Sequence, residues 1–323
     1  MTTGLVLGKF LPPHKGHQYL IDFARNYVED LTVVVGTLKA EPIKASLRFQ
    51  WMKESFPTVR VVHLPDENPQ EPHEHPEFWR IWRDSIRKFI PQGPDYVFAS
   101  EKYGQRLAKE LGSTYVPVDE QRELVPISGS LIRQDPLKHW DYLLPVTRPH
   151  FLKRVCIFGP ESTGKSTLTK DLARHYNTCH VAEYARTLLI AQNNEFTEED
   201  FHTIARGHIA SEEALALQAN RLLFVDTDLL TTTLWSKVFY DHCHQWIEEA
   251  ARQRQYDLYL VTDVDVPWVA DPQRFLPQDR QEFLHKCIDL LEELKRPYVL
   301  LSGSWKRRFQ KACLEINKLI SSS

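Results

Sequence analysis

Short apolar runs alternate with longer amphipathic stretches along the whole chain, the pattern of strands joined by crossover helices in parallel sheets. In the first half, Leu5 to Leu7, Leu31 to Val35, Val59 to His63 and Tyr96 to Ala99 read as strands, with helices predicted over His17 to Tyr27 and Leu47 to Ser55. The stretch Pro65 to Pro76 is polar and proline-rich and reads as a loop. From Trp140 to Arg154 the rhythm breaks around Pro145, Pro149 and several charges, and a new strand starts at Val155 to Phe158, which places a domain boundary near residue 150. The second half continues with helix Ser166 to His175, strand His180 to Val181, a long helical stretch Glu198 to Asn220 and strand Arg221 to Val225. Helices at Leu229 to Phe239 and Gln245 to Gln253, strand Leu258 to Thr262, helix Asp279 to Leu294 and strand Tyr298 to Leu301 complete it. The predicted class is α/β, with two domains, 1–149 and 150–323, each built on a parallel sheet.

Composition narrows the function classes. At 323 residues the chain can bury two cores of ordinary size. Forty Lys and Arg against 43 Asp and Glu give a net charge of −3, so no global basic field suits nucleic acid or an anionic membrane, and any anion site must be local. The five cysteines form no CxxC pair and fit a reducing compartment rather than a disulfide framework. Met1-Thr2-Thr3-Gly4 passes straight into an apolar run without a leader pattern. No stretch approaches the roughly 20 apolar residues of a membrane span. The expected location is the cytoplasm.

Gly159-Pro160-Glu161-Ser162-Thr163-Gly164-Lys165-Ser166-Thr167 lies between a predicted strand and helix and satisfies the spacing of a phosphate-binding P-loop. Consecutive backbone N–H groups and a helix N-terminus cradle phosphate oxygens there, and the glycines permit the backbone shape. Lys165 is expected to face the β- and γ-phosphates of ATP, and Ser166 to place its hydroxyl on Mg²⁺. Asp226, at the end of a later apolar run, is the expected second metal ligand. Asp228 is read either as a residue that orients the substrate or as the N-cap of the next helix. Glu183 is read as the base that accepts a sugar hydroxyl proton, or as the ion-pair partner of Arg186. In the loop from Asp263 to Arg274, Trp268 could stack on a pyridinium ring or simply pack, and Arg274 or Arg280 could neutralise the transferring phosphoryl group.

A second constellation opens the chain. Gly8-Lys9-Phe10-Leu11-Pro12-Pro13-His14-Lys15-Gly16-His17 joins the first strand to the first helix and ends in His-x-Gly-His. Gly8, Lys9 and Phe10 are assigned to the ATP contact, and His14 and His17 are expected to hydrogen-bond phosphate oxygens as charge builds on a pyrophosphate leaving group. Ile127-Ser128-Gly129-Ser130-Leu131-Ile132-Arg133 matches the Ile-Ser-x-x-x-x-Arg element that closes such a site, with Ser128 and Arg133 directed at the β- and γ-phosphates. The implied chemistry is direct in-line attack on the α-phosphorus of ATP, driven by positioning and charge neutralisation.

An adenylyltransferase signature followed by a P-loop kinase resembles the NadR family over nearly the whole chain, on Gly8 to His17, Ile127 to Pro136, Gly159 to Thr167, Glu183 to Arg186, and Pro267-Trp268 to Asp271. The resemblance implies a Rossmann-like nucleotidyltransferase domain and a P-loop NTPase-type kinase domain that phosphorylate nicotinamide riboside to nicotinamide mononucleotide and adenylylate it to NAD. It makes Trp268 the nicotinamide platform and adds Asp271 to the substrate contacts of Glu183 and Asp228. Two departures stand out. The chain starts at the nucleotidyltransferase strand without the helix-turn-helix of some relatives, so no DNA binding is expected. Lys15 replaces the threonine usual between the histidines and adds a charge beside the triphosphate. A fused phosphopantetheine adenylyltransferase and dephospho-coenzyme A kinase would use the same two reaction types. A rival of another class is a kinase whose N-terminal domain is a degenerate nucleotide sensor in contact with a riboside transporter. Whether the chain forms a homo-oligomer is open at this stage.

Overall fold

In the computed structural model, which describes residues 1–276 and 278–321, the apolar runs become two five-stranded parallel sheets. The chain divides into two compact units, Met1–Arg148 and Pro149–Ser323.

The first unit runs β1 (Thr3–Gly8), α1 (Lys15–Tyr27), β2 (Asp30–Gly36), α2 (Ala45–Ser55), β3 (Arg60–Leu64), α3 (Phe78–Arg87), β4 (Tyr96–Ala99), α4 (Tyr103–Leu111), β5 (Thr114–Pro117) and α5 (Gly129–Gln134). The strand order is β3-β2-β1-β4-β5. Val33, Val34 and Val35 are wholly buried in succession, as a central parallel strand covered on both faces requires. Leu20, Ile21 and Ala24 of α1 pack with Val6, Val33 and Val35 on one face, while Ile86, Leu107 and Leu111 pack with Leu5 and Val34 on the other. The order reverses between β1 and β4, which opens a crevice beyond the carboxyl end of β1, where Gly8 leads into the His-x-Gly-His segment.

A single helical turn, α6 (Arg148–Phe151), leads to the second unit. There follow β6 (Lys153–Phe158), α7 (Lys165–His175), β7 (His180–Val181), α8 (Tyr184–Ala191), α9 (Asp200–Ala216), β8 (Leu222–Asp226), α10 (Leu229–Tyr240), α11 (Gln245–Gln253), β9 (Leu258–Thr262), α12 (Arg280–Glu293), β10 (Tyr298–Leu301) and α13 (Trp305–Ser321). The order β10-β9-β6-β8-β7 makes β6 the central strand. Ile157 pairs with Asp226 and Phe158 with Val261, so the P-loop leaves β6 flanked by the ends of β8 and β9.

Seven elements carry no assignment in the sequence pattern: α3, α4, β5, α5, α6, α8 and α13. α3 is strongly amphipathic, with two tryptophans and three arginines in ten residues, and β5 is a half-exposed edge strand ending in Pro117. In α13 a buried residue of the first turn is Arg308, which the apolar pattern cannot flag.

Candidate active sites

The first site grows from the turn after β1. Phe10 takes φ +47 and folds its ring over Gly8, where a Cβ would lie 3.0 Å from the ring. His14 is the N-cap of α1, and its Nδ1 accepts the Gly16 N–H at 3.1 Å. That bond fixes the neutral tautomer: Nδ1 is unprotonated and Nε2 carries the hydrogen, free to donate. A Cβ on residue 16 would sit 3.0 Å from the His14 ring, close enough that the ring would have to shift to admit it. His17, one turn later, stacks on His14 with ring centroids 3.8 Å apart, and Phe10 meets it edge-on. Burial, with Arg122 adding positive charge, pushes the His14 pKa down to about 4. Burial, then His14 and Arg122, hold His17 well below its ordinary value. Both rings are therefore neutral at pH 7. His17 Nδ1 is buried without a hydrogen-bond partner.

Ser128 caps α5 by accepting the Leu131 N–H at 3.3 Å. Arg133 donates to the Leu11 carbonyl and to Ser130 Oγ, and a Cβ on Gly129 would lie 2.6 Å from the Leu11 oxygen. The two motifs are thus physically joined, with Arg133 clamping the turn that carries the histidines. Lys15 opens α1 and is exposed. The sequence reading missed the groups behind the turn: fully buried Arg48 donates to the Lys9 carbonyl at 2.6 Å and to Glu41, whose carboxylate also lies 3.4 Å from Lys9 Nζ. Arg122, which sets part of the field on both histidines, carried no motif signal either.

The second site is the P-loop. Gly159 has φ +126 and passes so close to β9 that a Cβ would meet the Thr262 oxygen at 2.9 Å. Gly164 has φ +85, and a Cβ there would lie 2.3 Å from the Trp305 ring. Thr163 is fully buried and braces the loop, bonding the Pro160 carbonyl at 2.7 Å and Thr262 Oγ1 at 2.6 Å. Lys165 Nζ donates to the Pro160 carbonyl at 2.8 Å. Asp226, 3 % exposed at the end of β8, lies beside the Ser166 hydroxyl, and its Oδ1 is buried with no partner. Burial raises its pKa against the pull of Lys165 and Ser166. An orphaned carboxylate oxygen beside a P-loop hydroxyl is a donor set that could hold a hard divalent cation such as Mg²⁺. Glu183 sits at the start of α8, its pKa raised by burial and then by the charge of Asp226. Two clefts meet the loop. One is lined by Glu161, Glu183, Tyr184, Thr227, Trp235 and Phe275 among others, the other by Gly164, Thr167, Asp171, Arg174, Trp305 and Lys306 among others.

Several expected roles change. Both Asp228 oxygens are engaged, Oδ1 with the Thr231 N–H at 3.1 Å and Oδ2 with the Tyr259 hydroxyl at 2.8 Å, so of its two expected roles the structure displays that of N-cap of α10. Arg186 pairs with Asp271 at 3.1 Å, so the ion pair considered for Glu183 goes to another carboxylate and Asp271 is occupied by that pair and by the Gln273 N–H. Trp268 lines neither cleft, and the Arg280 guanidinium lies 5.6 Å from its ring centre. Glu161 and Ser162 turn toward the loop that follows β9. Glu161 accepts the Phe275 and Leu276 N–H groups, Ser162 Oγ accepts the Val269 N–H at 2.7 Å, and Arg274 reaches Ser162 and the Val269 carbonyl.

The fold and its two sites define an α/β enzyme with a nucleotidyltransferase-type site in one unit and a P-loop kinase-type site in the other. Residues 154–308 match the family model described as AAA domain. The chain is 30% identical over 339 residues to the trifunctional NAD biosynthesis/regulator protein NadR of Escherichia coli (strain K12), covering 98% of this chain and 82% of the relative. It is 23% identical over 165 residues to the nicotinamide-nucleotide adenylyltransferase of Thermococcus onnurineus, covering 47% of this chain and 82% of the relative. A solved structure of a NadR protein in complex with NR shares the fold, with a TM-score of 0.83 and 23% identity over 99% of this chain and 96% of that one. The chain belongs to the NadR family. Among the described residues, no helix is long and apolar enough to cross a membrane.

Proposed function

We infer that the protein carries out two consecutive ATP-dependent steps: phosphorylation of nicotinamide riboside to nicotinamide mononucleotide, then transfer of AMP to give NAD and pyrophosphate. The observation that carries the reading is the unpartnered Asp226 oxygen beside Ser166, next to a cleft that Glu183 lines together with aromatic side chains. In the first step Glu183 accepts the proton of the ribosyl hydroxyl as its oxygen attacks the γ-phosphorus of ATP. Burial makes Glu183 a stronger base than an exposed glutamate. Lys165 leaves the Pro160 carbonyl for the transferring phosphoryl group, and the backbone N–H groups after Gly159 hold the phosphates. Ser166 and Asp226 would hold Mg²⁺, which would supply charge neutralisation on the phosphates. The adenine of this ATP lies toward Trp305, in the cleft on the Thr167 side of the loop.

In the second step a phosphate oxygen of the mononucleotide attacks the α-phosphorus of a second ATP and pyrophosphate leaves. His14 donates from Nε2, the only ring nitrogen its bond to Gly16 leaves free, and His17, Ser128 and Arg133 complete the donors to the departing oxygens. Because both histidines are neutral, they stabilise the leaving group as hydrogen-bond donors rather than as cations. Lys165→Ala is expected to abolish only riboside phosphorylation and His17→Ala only adenylylation of supplied mononucleotide. Loss of both steps in either folded variant would overturn the two-site assignment.

A further inference from the structure

One P-loop residue carries a charge that phosphate binding does not explain. Glu161, two residues after Gly159, is half-buried, and burial raises its pKa above the ordinary carboxylate value. A carboxylate aimed at a triphosphate would repel it. The side chain turns elsewhere: its Oε2 accepts the Phe275 N–H at 2.8 Å and the Leu276 N–H at 3.3 Å, from residues more than a hundred positions along the chain. Two N–H groups converge on one carboxylate oxygen, an arrangement that bonds more strongly than neutral partners do.

These bonds reach into the wall of the cleft that Glu183 lines. The Phe275 ring meets Phe239 at 5.3 Å, Phe196 at 5.9 Å and Trp235 at 6.4 Å between centroids, each in an edge-on arrangement, and all four rings line that cleft. Phe275 lies in the loop between β9 and α12 and is 37 % exposed, so its neighbours cover only part of it. Its backbone is fixed from the P-loop instead. A second tie follows at the next P-loop residue, where Ser162 Oγ accepts the Val269 N–H at 2.7 Å. The loop that supplies Phe275 is thus anchored on Glu161 and Ser162, while Lys165 and Ser166 remain for the phosphates and the cation.

We propose that Glu161 is a positioning residue for the riboside, acting through the Phe275 backbone to hold one aromatic wall of the acceptor cleft. The proposal rests on the kinase reading above and assigns a residue of the nucleotide-binding motif to the binding of the other substrate. Without the carboxylate, the Phe275 and Leu276 N–H groups lose their partner and the ring is held only by the side chains around it. The riboside then meets a looser wall, while the P-loop glycines, Lys165 and Ser166 still hold the triphosphate.

The test is the KM for nicotinamide riboside and the KM for ATP in phosphorylation, with thermal unfolding of each variant. The set is the wild type, Glu161→Gln, Glu161→Ala, Phe275→Ala and the double variant Glu161→Ala/Phe275→Ala. Glu161→Ala should raise the riboside KM by about 10-fold and the ATP KM by less than about threefold. Glu161→Gln keeps an oxygen that can accept both N–H groups, so both of its KM values should stay close to wild type. The double variant should bind the riboside no worse than Phe275→Ala alone, because one residue acts through the other. An ATP KM that rises as much as the riboside KM in a folded Glu161→Ala would overturn the assignment. So would a Glu161→Gln as impaired as Glu161→Ala, or single effects that multiply in the double variant, as a direct contact to either substrate would give. A wild type that phosphorylates no riboside would overturn the kinase reading itself, and the positioning role with it.

Discussion

Replacing Asp228 by asparagine separates a structural carboxylate from a catalytic one. Burial raises the Asp228 pKa from 3.8 to about 6, so the folded chain holds a proton between those values that the unfolded chain releases. Stability therefore falls as pH rises through that window, and at neutral pH the charged form destabilises the fold. A difference of about two units corresponds to roughly 3 kcal/mol at about 1.4 kcal/mol per unit, an upper figure for what an uncharged isostere recovers. Asparagine keeps the geometry: its oxygen can accept the Thr231 N–H, its amino group can donate to the Tyr259 hydroxyl, and it caps helices as well as aspartate does. Loss of the charge at the N-terminus of α10 returns about 0.5–1 kcal/mol of that gain. Asp228→Asn should thus stabilise the second unit by about 1–2 kcal/mol at pH 7.5, a rise of a few degrees in melting temperature, and by nothing near pH 4. Riboside phosphorylation should stay within about threefold of wild type, since a helix cap makes no substrate contact. Melting curves at the two pH values, with a kinase assay at the higher one, decide it. A hundredfold loss of phosphorylation in a stable variant would refute the cap assignment, and a lower melting temperature at pH 7.5 would refute the electrostatic argument.

Asp226→Asn removes the charge that faces the cation and should lower phosphorylation at least ~100-fold at fixed Mg²⁺ while adenylylation of supplied mononucleotide is unchanged; a near-wild-type kinase would contradict the metal role. Burial, and then the charge of Asp226, raises Glu183, so the kinase rate should fall on the acid side at a higher pH than an ordinary carboxylate allows, because protonation removes the base. A kcat profile that stays flat down to the ordinary carboxylate range would contradict that. Ser128→Ala deletes the α5 cap, worth about 1 kcal/mol, and should raise the KM for ATP in adenylylation without touching phosphorylation; the two steps assayed separately give the answer.

What the sequence could show depended on how local the signal is. The P-loop, the His-x-Gly-His segment and the strand-helix rhythm are contiguous, and each site forms where its motif falls, at the end of β1 or β6. The roles that changed hinge on distant partners. Tyr259, 31 residues from Asp228, decides between cap and substrate contact, and Asp271, 85 residues from Arg186, takes the ion pair weighed for Glu183. The aromatic wall of the cleft that Glu183 lines is assembled from a loop before α9 and from α10, so no spacing along the chain marks Phe196, Trp235 and Phe239 as one surface. Trp268 stood out because it sits in a motif-like loop, and the fold gives its ring to Arg280. Arg48 was invisible for a related reason: a fully buried arginine reads as a surface residue until Glu41 and the Lys9 carbonyl are placed around it.

The central claim is that one chain makes the mononucleotide at Lys165 and consumes it at His14 and His17. Incubating the protein with nicotinamide riboside and Mg-ATP and separating the products over time tests it most directly. The account predicts that mononucleotide appears first and passes into NAD, with one ADP and one pyrophosphate formed for each NAD. Mononucleotide that accumulates without NAD would contradict the second step, and absence of both products would contradict the whole reading.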